Sequence, residues 1–270
     1  MPDTHASFIE SIPKTYDAFL GPIFFEPYAL DLTRRVPALT RGRILELAAG
    51  TGILTRRLRT GLAQNVEIVA TDLNEAMISM ARTKFASGEP VTWSEADATK
   101  LPFPDSSFDA VLCQFGFMFF PDKQAAFDES RRALVPGGTL IFNVWDSLEH
   151  NDLARSANDA VERHFPTDPP TFYHTPYGFN DTRVISAMLV KAGFEAIEHS
   201  TVSLPAESPS PRASATGIIE GTPALVEIRR RDPTAIPAIV AAVEKDLAAR
   251  FGVGAIRAST RAIVFSARRR

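Results

Sequence analysis

The stretch Arg43-Ile44-Leu45-Glu46-Leu47-Ala48-Ala49-Gly50-Thr51-Gly52 constrains this chain more than any other. Residues 43–48 are too short for an independent helix and too apolar for a loop, so they read as a buried strand. The run closes on a carboxylate, Glu46, and enters a turn of small residues. Gly50 and Gly52 leave the backbone bare there, so main-chain N–H groups can reach a ligand closely. Residues 53–61 then carry helical spacing, and a helix start beyond such a turn favours a negatively charged ligand group.

Two more apolar runs repeat the pattern. Residues 67–72 end in Asp72, and residues 91–96 are followed by Asp97. Segments 108–115 and 139–144 read as strands four and five. Helix-compatible stretches lie between the strands, at 75–86 with Asn74 as its cap and at 122–134 starting from Pro121-Asp122. Strands that alternate with helices form a parallel sheet, whose ligands bind in a crevice at its carboxyl edge. Glu46, Asp72 and Asp97 all fall on that edge. Further on, 182–192 reads as a helix ending near Gly193, 195–204 as a weak strand and 261–267 as a strong one. Within 205–260, Pro205 to Pro211 reads as loop and 212–220 and 234–250 as helices, and ahead of the first strand 28–36 reads as a helix.

Composition narrows the partners. The chain has 270 residues, 45% of them hydrophobic, enough for a sizeable core. Its net charge of -3 leaves no electrostatic footprint for nucleic acid or an anionic membrane. Arg268-Arg269-Arg270 reads as a solvated tail. One cysteine, Cys113, forbids an internal disulfide and fits a reducing cytoplasm. It lies in an apolar strand and reads as a core residue. No His/Asp/Glu grouping has the spacing of a metal site, so no metal is expected. Neither a signal segment nor a membrane span is evident, which makes cytoplasmic residence the expectation.

Taken as a set, the glycine turn behind Glu46, Asp72 placed 20 residues after Gly52, the segment Glu95-Ala96-Asp97-Ala98-Thr99-Lys100-Leu101-Pro102-Phe103 and the turn Leu134-Val135-Pro136-Gly137-Gly138 resemble the class I S-adenosylmethionine (SAM)-dependent methyltransferases, of the small-molecule type. The resemblance implies an α/β Rossmann-like fold. Its sheet would have seven mostly parallel strands, helices on both faces and an antiparallel last strand. It also implies a single domain over 1–270, with an N-terminal cap at 1–40 and helical lid insertions at 145–181 and 205–260.

The same resemblance assigns the cofactor residues. Ala48, Gly50 and Gly52 would face the methionine carboxylate, although position 48 is commonly glycine in the family. Asp72 would accept from the ribose hydroxyls, with Leu73 and Met77 packing on adenine. Asp97 and Ala98 would read the adenine edge. Glu46, Gln114 and Phe115 would line the methionine portion, and Tyr16 would fold over the cofactor. His150 is the candidate general base, ahead of His164 and His174. Trp145, Phe172, Tyr173 and Tyr177 are candidates to line the acceptor pocket. Quinone-biosynthesis methyltransferases share this core, but no N-terminal signature ties the chain to a quinone.

Two other readings remain open at this point. An NAD-dependent oxidoreductase shares Gly50-x-Gly52 and Asp72, but the third fingerprint position is Thr55, and NAD leaves Glu46 and Asp97 unexplained. A protein that binds SAM without transferring its methyl group fits the cofactor motifs equally well. The acceptor, the attacking atom and the oligomeric state are not encoded in these motifs.

Overall fold

Seven strands build one sheet in a computed structural model that describes residues 12–270. They are β1 (Gly42–Leu47), β2 (Val66–Asp72), β3 (Val91–Glu95), β4 (Phe108–Gln114), β5 (Leu134–Trp145), β6 (Phe194–Ser208) and β7 (Ile256–Arg269). Their order is β3-β2-β1-β4-β5-β7-β6. β1 lies parallel to β2 and β4, β2 to β3, and β4 to β5, while β7 runs antiparallel to β5. This is the Rossmann-like sheet with an antiparallel last strand that the motifs imply. The order is not the 3-2-1-4-5-6 of dinucleotide-binding sheets, because β7 inserts between β5 and β6.

The chain clusters into two compact units. A sheet unit comprises Tyr28–Trp145, Phe179–Val202 and Ala262–Arg270, and a helical unit comprises, among the described residues, 12–27, Asp146–Gly178 and Ser203–Arg261. The first eleven residues of the N-terminal segment 1–40 lie outside the described residues.

In the sheet unit, β1 and β2 bury nearly every side chain, as a parallel sheet covered on both faces requires. Helices α2 (Glu26–Arg35), α3 (Ile53–Gly61), α4 (Glu75–Arg82), α5 (Lys123–Ala133) and α8 (Thr182–Ala192) accompany it. Aromatic packing pins the last antiparallel pair. Phe142 of β5 lies opposite Phe265 of β7, the rings stacked at 5.1 Å. Phe117 and Phe127 stack at 4.4 Å beside Phe142. The proline-containing segment before β4 is tied down by Arg132. Its guanidinium donates to the carbonyls of Leu101 and Phe103 and to Asp105 and Glu129.

The helical unit holds α1 (Ile12–Thr15), a π-helical run (Tyr16–Phe25) that continues it without a break, α6 (Asp152–His164), α7 (His174–Gly178), α9 (Pro211–Glu220), α10 (Ala224–Arg231) and α11 (Ile236–Phe251). Gly217 lets the π-helical run approach α9, since a Cβ there would stand 2.8 Å from Phe19 Cβ. α6 and α11 are joined by polar contacts: Ser156 Oγ donates to Asp246 at 2.6 Å, and Arg250 pairs with Asp152.

Several local expectations need correction. Pro205–Ser208 is not loop, because β6 continues to Ser208. β6 ends the strand order, and an edge strand tolerates a proline that has no N–H to offer. Asn74 precedes α4, but its side chain makes no capping bond to the helix; it turns instead toward Asp72. β5 starts at Leu134, so the bend at Gly137 (φ +78°) lies within strand pairing, with a register shift between Phe108 and Ala110. Asp122, read from sequence as the start of the helix, is its N-cap, accepting from Ala125 N–H at 2.9 Å.

Candidate cofactor site

The carboxyl ends of β1 to β5 converge on one edge because these strands run parallel. After β1 the chain takes left-handed backbone three times, at Ala48 (φ +50°), Gly50 (+57°) and Gly52 (+78°). Glycine adopts that conformation freely, whereas alanine does so only when held. Ala49 N–H donates to Thr71 O at 2.9 Å, and Gly52 N–H to Ala49 O at 2.9 Å, which fastens the turn to β2. A Cβ at Gly52 would meet Ala81 Cβ at 2.9 Å and the Trp93 ring at 3.2 Å, so α3 can start there only from a glycine. At Gly50, by contrast, a Cβ would have no described atom within 4 Å. That opening lies at a helix start, a position that favours a ligand carboxylate, while Gly50 N–H itself donates to Asp72.

Asp72 ties the turn to β2. Its Oδ2 accepts from Gly50 N–H and its Oδ1 from Asn74 N–H, both at 2.8 Å. Burial raises its carboxyl above the ordinary aspartate value, and the N–H groups of Asn74 and Gly50 work against that shift. Leu73 follows with 57% of its surface exposed. An apolar side chain left open next to a carboxylate provides a stacking surface beside a hydroxyl acceptor. Met77 is buried in α4.

Glu46 is the most unusual group on the edge. It is 1% exposed, and its Oε2 has no hydrogen-bond partner among the described residues. Burial pushes its carboxyl up to about 8. Thr55, close by without a well-formed hydrogen bond, pulls the value down, and Asp72 pushes it up further. A buried acceptor with an unused lone pair, near a second carboxylate, suits a cationic ligand.

Beyond β3, Asp97 is exposed and forms a local turn, its Oδ1 accepting from Thr99 N–H at 2.8 Å and Thr99 Oγ1 at 2.7 Å. Ala98 beside it is buried. Gln114 ends β4, half-buried, and Phe115 turns left-handed with φ +54°. Phe115 stacks on Trp145 with centroids 3.8 Å apart and planes at 9°, and Tyr28 meets both rings edge-on at 5.4 and 5.2 Å. Cys113 is fully buried, and burial pushes its thiol up, which makes it a core residue.

The remaining sequence-derived candidates belong to the helical unit. Tyr16 stacks on Phe25 at 4.5 Å. His150 is half-buried in a single turn, Leu148–His150, where its N–H donates to Ser147 O. Phe172, Tyr173 and Tyr177 are buried, and the Tyr173 hydroxyl donates to Ile218 O at 2.8 Å. Two residues that hold this edge are not among those the sequence singles out: Asn143 of β5 and Tyr28 of α2, whose ring packs on Phe115 and Trp145. Asn143 carried a signal, as a polar residue inside the apolar run Leu140–Trp145; Tyr28 carried none. Among the described residues, no helix is long and apolar enough to cross a membrane, and no His/Cys/Asp/Glu group could hold a metal ion.

Comparisons with known proteins agree with this geometry. Residues 45–142 match a model described as a methyltransferase domain. The ubiquinone/menaquinone biosynthesis C-methyltransferase UbiE of Shewanella sp. (strain ANA-3) is 27% identical over 194 residues, covering 67% of this chain and 76% of that protein. Phosphoethanolamine N-methyltransferase 2 of Haemonchus contortus, solved with SAM, superposes with a TM-score of 0.62 at 18% identity, over 98% of this chain and 60% of that one. The [4+2]-cyclase SpnF superposes with a TM-score of 0.63 at 19% identity, over 99% and 97% of the two chains. The domain match over residues 45–142, the relatives and the strand order together support a class I SAM-dependent methyltransferase.

Proposed function

We propose that this protein methylates a small organic acceptor by in-line displacement, with the cofactor seated along the carboxyl edge from Glu46 to Phe115. The observation that carries this placement is the open bare-backbone turn at Gly50, tied to Asp72, with exposed Leu73 alongside. Bound there, SAM would supply an already activated methyl group for the acceptor lone pair, with S-adenosylhomocysteine (SAH) as the leaving product. The chain's own work is then to hold and orient. The turn at Ala48, Gly50 and Gly52 receives the carboxylate, Asp72 accepts from the ribose hydroxyls, and Leu73 and Met77 support adenine, with Asp97 and Ala98 at its edge. Glu46, Gln114 and Phe115 border the methionine portion. Alignment of the two reactants can supply much of the acceleration.

In this reading Tyr16 is a cofactor-side candidate. Trp145, Phe172, Tyr173 and Tyr177 are acceptor-side candidates, and His150 takes the acceptor proton where the attacking atom is O–H or C–H. The acidic chain and the aromatic content of these segments support a small metabolite over nucleic acid or a membrane surface.

The test is SAH release, with mass analysis of the product, across phenols, amines and thiols. At least one class is expected to yield SAH and methylated product in equal amounts, and His150→Ala is expected to slow a phenol about 10²-fold while sparing an amine or thiolate. Release of no SAH with any class, while SAM still binds, would instead fit a protein that holds SAM without spending it.

A further inference from the structure

We propose that Asn143 is a positioning residue of the cofactor site, acting through the backbone of Phe115. The inference rests on the placement of Gln114 and Phe115 beside the methionine portion given above.

Asn143 lies in β5 opposite Gln114, the last residue of β4. Its side chain has no exposed surface. Phe115 N–H is held twice from this one residue, by Asn143 Oδ1 at 2.9 Å and by Asn143 O at 3.2 Å. That grip coincides with a left-handed φ of +54°, a conformation in which a bulky side chain is a genuine outlier. Backbone strain of this kind persists only where the surroundings over-determine it, and it gathers at functional sites.

The surroundings here do so from three directions. Asn143 fixes the N–H, and Trp145 and Tyr28 clamp the ring. Gly116 then presses the turn after β4 onto the turn after β1: a Cβ at Gly116 would stand 2.6 Å from both Ala48 Cβ and Cys113 Sγ. Ala48 is the other strained non-glycine residue of the edge. Two left-handed turns therefore brace each other, and Asn143 is the side chain that sets one of them.

Asn143 also carries a penalty that packing alone would not keep. Its Nδ2 has no hydrogen-bond partner among the described residues, although the side chain is fully buried. An isosteric leucine would remove that unsatisfied donor, so a strand packed only for stability gains by losing the amide. What leucine cannot replace is the Oδ1 bond to Phe115.

The experiment compares the full-length wild type with Asn143→Leu, Asn143→Asp and Phe115→Ala. It reads SAH affinity by calorimetry, the melting temperature, and the near-ultraviolet circular dichroism of the stacked rings. Asn143→Leu is expected to weaken SAH at least tenfold with an unchanged or higher melting temperature and an altered aromatic spectrum. Asn143→Asp keeps an acceptor for Phe115 N–H and is expected to stay within threefold of wild type. Phe115→Ala is expected to weaken SAH as well, and the double variant Asn143→Leu/Phe115→Ala to be no weaker than the worse single one. If leucine prevents folding, Asn143→Ala replaces it in the same comparison. Asn143→Leu binding within twofold of wild type would overturn the role of Asn143, as would equal losses in Asn143→Leu and Asn143→Asp. A loss in Asn143→Leu beside an unaffected Phe115→Ala would do the same. If both single truncations leave SAH binding intact, the placement of Gln114 and Phe115 at the site is what fails.

Discussion

Replacing Asp72 with alanine is expected to weaken SAH binding by at least about 10²-fold. Each hydrogen bond to a charged group contributes about 1.5–3 kcal/mol, and one carboxylate serves both hydroxyls of a ribose diol. Losing two such bonds, at about 1.4 kcal/mol per factor of ten, gives a change of that size. The substitution also strips partners from Gly50 N–H and Asn74 N–H, each held at 2.8 Å, so the glycine turn loosens from β2. A fall in the melting temperature is therefore expected together with the loss of affinity. Asp72→Asn keeps one acceptor oxygen and is expected to fall between wild type and alanine. Titration calorimetry on the three proteins decides the matter: equal affinity in all three would remove Asp72 from the site.

SAM binding is expected to tighten as pH rises, by up to about tenfold per unit below pH 8, and Glu46→Gln is expected to abolish that slope. The Glu46 carboxyl, ordinarily near 4.5, is pushed up to about 8 by burial, with Thr55 lowering and Asp72 raising it. Below that pH the folded protein without ligand keeps Glu46 protonated. A bound sulfonium and ammonium favour the ionised form, so binding must expel a proton, which becomes easier as the pH approaches 8. The same shift acts on folding. In the unfolded chain Glu46 loses its proton near 4.5 and in the folded chain near 8, so the stability it contributes is fully present below 4.5 and is lost as pH rises through about 8. Glu46→Gln is thus expected to flatten the decline in melting temperature across that window in the protein without ligand. Affinities with the same pH dependence in wild type and Glu46→Gln would rule out Glu46 as the group responsible.

The parts of the fold that sequence made legible are those fixed by local pattern. β1, β2, β4 and β5 appear as short apolar runs because both faces of such a sheet are buried, whereas β3, at the end of the strand order, keeps its side chains at least partly exposed. The glycine turn and Asp72 stand at about the spacing of a strand-turn-helix-strand unit, and the structure joins them through the Gly50–Asp72 hydrogen bond. Other features depend on partners far away in the chain. α6 packs through Asp152 and Ser156 against Asp246 and Arg250, contacts that no window of local periodicity contains. Pro205 reads as a loop residue until its place on an edge strand is known. The left-handed turn at Phe115 is likewise invisible in sequence, because nothing in the residue favours it; Asn143, Trp145 and Tyr28 impose it.

A crystal structure of the protein with SAH bound tests the central proposition most directly: that the carboxyl edge of β1 to β4 grips one adenosyl-methionine unit. The expected result is both ribose hydroxyls within about 2.7 Å of Asp72, the amino-acid carboxylate on the turn at Gly50 and Gly52, and adenine against Leu73. SAH located elsewhere, with Asp72 bonded only to Gly50 and Asn74, would contradict it.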